Sequence, residues 1–269
     1  MNKIYPLYTG SFHSRFPGLL VRLDVDVDVP GFAFLIQTEN GEYILVDTGF
    51  RAGQVPGIGS TADQKEEHLI LNVLQCQGID PLDIDSIIMT HLHWDHTAAL
   101  SDFPNAHIYV QASEMNAMLY IPTDVQISYA WRDWMDALDR FILIHGDHNI
   151  GPGIDSIFTG DHSGGHQVVR IQTDAGPFVI GGDCGVPPYN GDNTSNPDGW
   201  EAFRTGIGSR FYWNEEVVPA LQRCLQAQGF PIEPMQQLKP LSIEEIKSLG
   251  TVIYSHDLRL RRKNYSQLW

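Results

Sequence analysis

One hexapeptide constrains this chain more than any other stretch. It is His91-Leu92-His93-Trp94-Asp95-His96, which follows directly on Ser86-Ile87-Ile88-Met89-Thr90. Four side chains able to bind divalent metals fall within six residues, where a buried strand should give way to a turn. Imidazole nitrogen and carboxylate oxygen are the donors that zinc and similar first-row metals favour. Alternation along an extended segment places His91 and His93 on one face. A turn at Trp94 then swings Asp95 and His96 toward a second point, so the pattern points to two adjacent metals. The plainer alternative is four polar residues in an exposed loop.

One motif cannot close two metal sites, and further candidates stand at other strand ends. Thr159-Gly160-Asp161-His162-Ser163-Gly164-Gly165-His166 is a Gly-rich turn that leads into a strand over Gln167 to Ile171. Asp183 closes the apolar run Phe178 to Gly182, and His256 follows Val252-Ile253-Tyr254-Ser255. The remaining histidines, His13, His68, His107, His145 and His148, lack partner spacing and read as surface or hydrogen-bonded residues. Cys184 sits beside Asp183, but neighbouring side chains on a strand point to opposite faces, so it reads as a buried structural thiol.

Elsewhere the pattern alternates. Strands are predicted at Leu19 to Val29, Phe32 to Thr38 and Tyr43 to Val46, with the turn pair Asn40-Gly41 between the last two. Helices are predicted at Asp63 to Gln77, Ser113 to Leu119, Trp131 to Phe141, Glu215 to Gln228 and Ile243 to Leu249. Strands at Asp85 to Thr90, Ile108 to Val110 and Thr251 to Tyr254 complete the set. This alternation argues for a layered α/β domain over residues 1–269. Residues 185–214, rich in Gly, Pro and Asn, interrupt it as an irregular insertion of the kind that usually serves function.

Composition narrows the partners. A formal charge of −16 disfavours nucleic acid and anionic membrane surfaces, although acidity also simply aids solubility. Three separated cysteines without a CxxC pair, and a start without an apolar core, read as a reduced, cytoplasmic protein. No run approaches the roughly 20 apolar residues of a membrane span. The expected partner is a small molecule, and a homodimer is compatible with the sequence.

The HxHxDH motif, the Gly-rich turn ending in His166, the late Asp183 and the late His256 together resemble the metallo-β-lactamase superfamily. The similarity runs from Val46-Asp47-Thr48-Gly49 to Ser255-His256-Asp257. It implies a four-layer αβ/βα sandwich, an α/β (α+β) fold with metals at one edge of two sheets. It also implies that His91, His93 and His166 hold one metal, that Asp95, His96 and His256 hold the other, and that Asp183 bridges them. Asp47 and His162 correspond to outer positions that orient ligands. Two divalent ions are implied, zinc foremost, with iron or manganese compatible with the same donors.

Within the superfamily the chain is most similar to the N-acyl-homoserine lactonase branch. The implied reaction opens a small, largely neutral cyclic ester by a hydroxide held between the metals, with Asp95 carrying the proton to the leaving oxygen. A thioesterase like glyoxalase II, a β-lactamase or a cyclic-amide hydrolase would use the same site. The alternative outside enzymes is a metal-binding or partner-binding protein. Where the lactonase branch carries a tyrosine three residues after the bridging aspartate, this chain has Val186, and its next tyrosine is Tyr189. Tyr189, Trp131, Trp200 and Phe211 are the candidate walls of a substrate pocket, and Tyr120, Tyr129 and Trp134 add to the aromatic supply.

Overall fold

A computed structural model describes residues 1–13, 28–55, 61–122, 126–185 and 213–260. The first sheet runs β4-β1-β2-β3-β5-β6-β7. Its strands are β1 (Lys3–His13), β2 (Val29–Gln37), β3 (Tyr43–Val46), β4 (Thr61–Asp63), β5 (Ile84–Ile88), β6 (His107–Gln111) and β7 (Phe141–Ile144). The second runs β12-β11-β10-β9-β8. Its members are β8 (His148–Gly151), β9 (Ile154–Phe158), β10 (Gln167–Thr173), β11 (Gly176–Ile180) and β12 (Thr251–Ile253). Helices α1 (Ile70–Cys76), α2 (Ala112–Met118), α3 (Val218–Ala227) and α4 (Ile243–Ser248) complete the regular structure described.

Alternation along the strands explains the layering. On β2, Phe32, Phe34 and Ile36 point one way and meet Val169, Ile171, Phe178 and Ile180 of the second sheet. Ala33 and Leu35 point the other way, into a core with Ile70 and Leu74 of α1, Met115 of α2 and Leu221 of α3. Because both faces are covered, β2 reads as a continuous apolar run instead of an alternating one. On the far side of the second sheet, Val168, Val179 and Cys184 pack against Ile246 of α4. The result is helix, sheet, sheet, helix, as the αβ/βα expectation requires.

Several boundaries differ from the sequence reading. The predicted helix from Asp63 begins only at Ile70, because Thr61–Asp63 pairs with β1 as an edge strand. The predicted helix Trp131 to Phe141 is instead two 3₁₀ segments, Trp131–Asp133 and Met135–Arg140. Phe141, the last residue of the predicted helix, instead opens β7, which pairs in parallel with β6. Strands β1, β7, β8 and β9 are not singled out by periodicity. Pro6 and Gly10 disguise β1, where the register shifts between Tyr8 and Gly10. The predicted strand Leu19 to Val29 lies outside the described residues except at its end, and so does most of 185–214. Among the described residues, no helix is long and apolar enough to cross a membrane.

Candidate metal centre

The C-terminal ends of β3, β5, β11 and β12 and the start of β10 lie along one edge of the sandwich, and each delivers a polar side chain there. β3 pairs with β5 in parallel and β11 with β12 in parallel, so their following loops emerge on the same side. Asp47 follows β3, the hexapeptide follows β5, Asp183 follows β11 and His256 follows β12. His166 immediately precedes β10, which is antiparallel to β11.

Two groups of donor atoms form at this edge, each with its atoms within 4.8 Å of one another. One is His91, His93 and His162, and the other is Asp95, His96, Asp183 and His256. Asp183 stands between them. Its Oδ1 lies 3.4 Å from His96 Nε2 and 3.2 Å from His256 Nε2, while its Oδ2 lies 3.6 Å from His162 Nε2. Asp95 faces the second group, with Oδ2 at 3.3 Å from His256 Nε2.

The imidazoles are fixed from behind. His96 Nδ1 donates to Asp47 Oδ2 at 2.8 Å, and His256 Nδ1 donates to the Pro30 carbonyl at 2.8 Å. His166 Nδ1 lies 2.6 Å from Thr159 Oγ1, and His91 Nδ1 lies 3.1 Å from Thr90 Oγ1. Binding the outer nitrogen in this way leaves Nε2 to face inward, the usual arrangement behind a metal-binding histidine. Asp47 anchors the strand end as well, since its carboxylate accepts from Thr90 N and from Thr90 Oγ1, both at 2.8 Å. It holds a left-handed backbone, φ 59°, a geometry uncommon for non-glycine residues that aspartate tolerates better than most. Gly182 is required for packing: a Cβ there would lie 2.8 Å from Thr90 and 2.9 Å from His166 Nε2.

His162 is the point of difference from the sequence reading. The reading put it behind the ligands, yet its Nε2 lies 3.0 Å from His93 Nδ1, inside the cluster. His166, expected in front, presents Nε2 to the backbone N–H of Asp183 at 3.2 Å. The reason is the turn. Gly164 and Gly165 fold it tightly against α2, where a Cβ on Gly164 would meet Ala117 at 2.5 Å, and both histidines are thereby turned toward the centre.

The electrostatics divide the centre. Burial, then the neighbouring His96, His93 and His162, holds His91 well below its ordinary pKa. Burial and then His162 push His93 down to about 3. These imidazoles are therefore neutral at pH 7, the form that binds a metal. In the other group burial is overcome. Asp183 and Asp95 raise His256 to about 10, and Asp95, Asp47 and Asp183 raise His96. Against their own burial, Asp183 is held low by His256 and His96, and Asp95 is held low chiefly by His96.

Buried atoms without a well-directed hydrogen bond test the fit to metal ions. His91 Nε2, His96 Nε2, His256 Nε2 and Asp183 Oδ1 make none, the last three meeting one another only in ion-pair contacts of 3.2–3.4 Å. Buried polar atoms in this state carry a desolvation penalty. Inward-facing imidazole nitrogens beside ionised carboxylates form a donor set in which a cation would supply the positive charge in place of the protons on His96 and His256. Divalent cations fit that description.

An aromatic cluster flanks the second group. Phe12 lies edge-on to Trp94 at 4.9 Å and to His256 at 5.6 Å, and Phe50 lies 5.9 Å from Trp94. Phe12 and Phe50 escaped the sequence reading. Phe50 follows Asp47-Thr48-Gly49 directly, and that adjacency was the available signal. Of the predicted pocket residues, Trp131 is half-buried against the main core, with the Arg132 guanidinium 4.3 Å over its ring. Tyr189, Trp200 and Phe211 lie outside the described residues. Tyr129 is buried against His93 at 4.9 Å, and Trp134 is fully buried in the main core.

The family model of the metallo-beta-lactamase superfamily matches residues 26–209. The chain belongs to that superfamily. Among its relatives, the N-acyl homoserine lactonase AiiA of Bacillus thuringiensis subsp. kurstaki is 32% identical over 174 residues, covering 61% of this chain and 64% of AiiA. The match thus spans under two thirds of that relative's length. The lactonase AttM of Agrobacterium fabrum is 33% identical over 191 residues, covering 63% of this chain and 71% of AttM. In three dimensions, this superfamily member aligns with a structure of Bacillus thuringiensis AiiA with N-decanoyl-L-homoserine bound. That alignment has a TM-score of 0.64 at 23% identity and covers 97% of this chain and 95% of the other. AidC, a dizinc quorum-quenching lactonase, aligns with a TM-score of 0.53 at 17% identity over 68% of this chain and 71% of its own. These structural likenesses establish the shared fold.

Asp47 offers a test of the orienting shell. Asp47→Ala removes the acceptor behind His96, and metal affinity is expected to fall roughly 10–100-fold, measured by chelator competition. Unchanged affinity would show that His96 needs no orientation from behind.

Proposed function

We propose that the protein is a dinuclear-metal hydrolase that opens small, largely neutral lactones, N-acyl homoserine lactones among them. The observation that carries this reading is the set of buried inward-facing donors, His91 Nε2, His96 Nε2, His256 Nε2 and Asp183 Oδ1, gathered at one sheet edge without a well-directed hydrogen bond. In this reading His91, His93 and His166 would hold one cation, Asp95, His96 and His256 would hold the other, and Asp183 would contribute to both. Zinc suits the all-nitrogen and carboxylate donors. When bound, such a pair makes a water acidic enough to act near pH 7 and polarises a carbonyl oxygen.

The chain's own residues do the rest. Asp95 has its carboxyl against His96 and His256, which keep it deprotonated and able to receive a proton. Opening a lactone requires that proton to pass from the attacking water to the departing ring oxygen, and this reading assigns that transfer to Asp95, supported by its carboxylate between His96 and His256. Phe12, Phe50 and Trp94 form a buried apolar cluster that packs against His256 through Phe12. The two sheets share one apolar core, which supports reading residues 1–269 as a single domain.

His166 is favoured over His162 as the ligand because Thr159 and Asp161 hold its outer nitrogen as Asp47 holds that of His96. His166→Ala is expected to lose a metal equivalent by elemental analysis, and His162→Ala to retain both. The reverse pattern would exchange their roles. The activity itself is tested on a panel of lactones, thioesters, β-lactams and phosphodiesters, with chelated and zinc-restored protein. Chelator-sensitive lactone hydrolysis is expected, and chelator-sensitive turnover of thioesters alone would replace the lactonase reading by a thioesterase.

A further inference from the structure

Glu114 is fully buried on α2, at 0% exposure, and lies outside both donor groups. Its Oε1 accepts from the backbone N–H of Leu92, between His91 and His93, at 3.1 Å. Its Oε2 accepts from Ser163 Oγ and from the backbone N–H of Gly165, both at 2.7 Å and both between His162 and His166. Tyr129, whose ring lies against His93, is also hydrogen-bonded to this carboxyl. Every partner can donate, and a carboxylate offers about four acceptor positions, so these contacts fill it. The packing is equally specific, since a Cβ on Gly165 would collide with the Glu114 backbone.

We propose that Glu114 is a positioning residue that locks the two histidine-bearing turns in register and so sets the geometry of the His91, His93 and His166 metal site. The proposal rests on the metal-binding reading above but not on the substrate. Leu92 lies between two of the proposed ligands and Gly165 directly precedes the third, so one side chain fixes the backbone beneath all three. A fold-stabilising role alone would need no convergence on these particular amides.

Glu114→Gln separates the two roles. The amide keeps the size but replaces one oxygen by an N–H donor. Ser163 and Tyr129 can rotate their hydroxyls to accept, whereas the Leu92 and Gly165 N–H groups cannot. One turn must therefore shift. Cobalt-substituted wild type and variant are compared by visible absorption spectrum and by chelator-competition affinity, with thermal unfolding recorded alongside. The expected result is a cooperative fold with an altered cobalt spectrum and metal affinity reduced roughly 10–100-fold, the scale for groups that orient ligands. An unchanged spectrum and affinity, with only a lowered Tm, would overturn the proposal. If Glu114→Gln does not fold, Ser163→Ala removes a donor from the second turn alone and is read the same way. No measurement uses a lactone, so a wild type that binds cobalt but opens no lactone would refute the proposed activity and leave this inference standing.

Discussion

Asp95→Asn is expected to lower kcat by roughly 10²–10⁴-fold while the protein keeps most of its metal, the range for losing a positioned general acid–base group. The carboxyl lies 3.3 Å from His256 Nε2 and 3.7 Å from His96 Nε2, so it can act as donor atom and proton carrier alike. An amide preserves the shape and one oxygen, which is why metal should largely stay. It cannot take up a proton at neutral pH, so a proton leaving the attacking water has no local acceptor. KM should change far less than kcat, because the loss falls on the transition state. Full activity in the variant would remove Asp95 from the proton path.

Asp183→Asn is expected to act at the level of metal content. Asp183 places one oxygen toward His96 and His256 and the other toward His162, so a single carboxylate joins the two donor groups. Removing its negative charge weakens both sites together, and elemental analysis should show loss of metal from both, with activity falling alongside. Removing one partner of a buried charged cluster is also costly to the fold, on the order of 3–5 kcal/mol. Thermal unfolding of the chelated wild type and variant measures that component separately. Two tightly held metals in Asp183→Asn would refute its bridging position.

The hexapeptide His91 to His96 was legible because its donors are contiguous and a strand precedes them. Asp183 and His256 were legible because each closes an apolar run, and strand ends in layered α/β folds are where side chains converge. Less local features were not. Phe12 comes from β1, a strand masked by Pro6 and Gly10, and reaches His256 only through the β1–β2 pairing. Glu114 carries no motif of its own. It becomes significant only when α2 packs under the turn that bears His162 and His166.

The sequence by itself determined the chemistry: which donors are present, their order at strand ends, and the superfamily whose spacing they share. Local order suffices for that, because ligand type and strand-end position are properties of short segments. The tertiary structure alone decided which atoms face one another. The turn at Ser163 to Gly165, held by Glu114, brings His162 as well as His166 to the centre, and Asp183 shows one oxygen to each donor group. Those outcomes depend on contacts between residues tens of positions apart, and side-chain directions there are fixed by packing across two sheets.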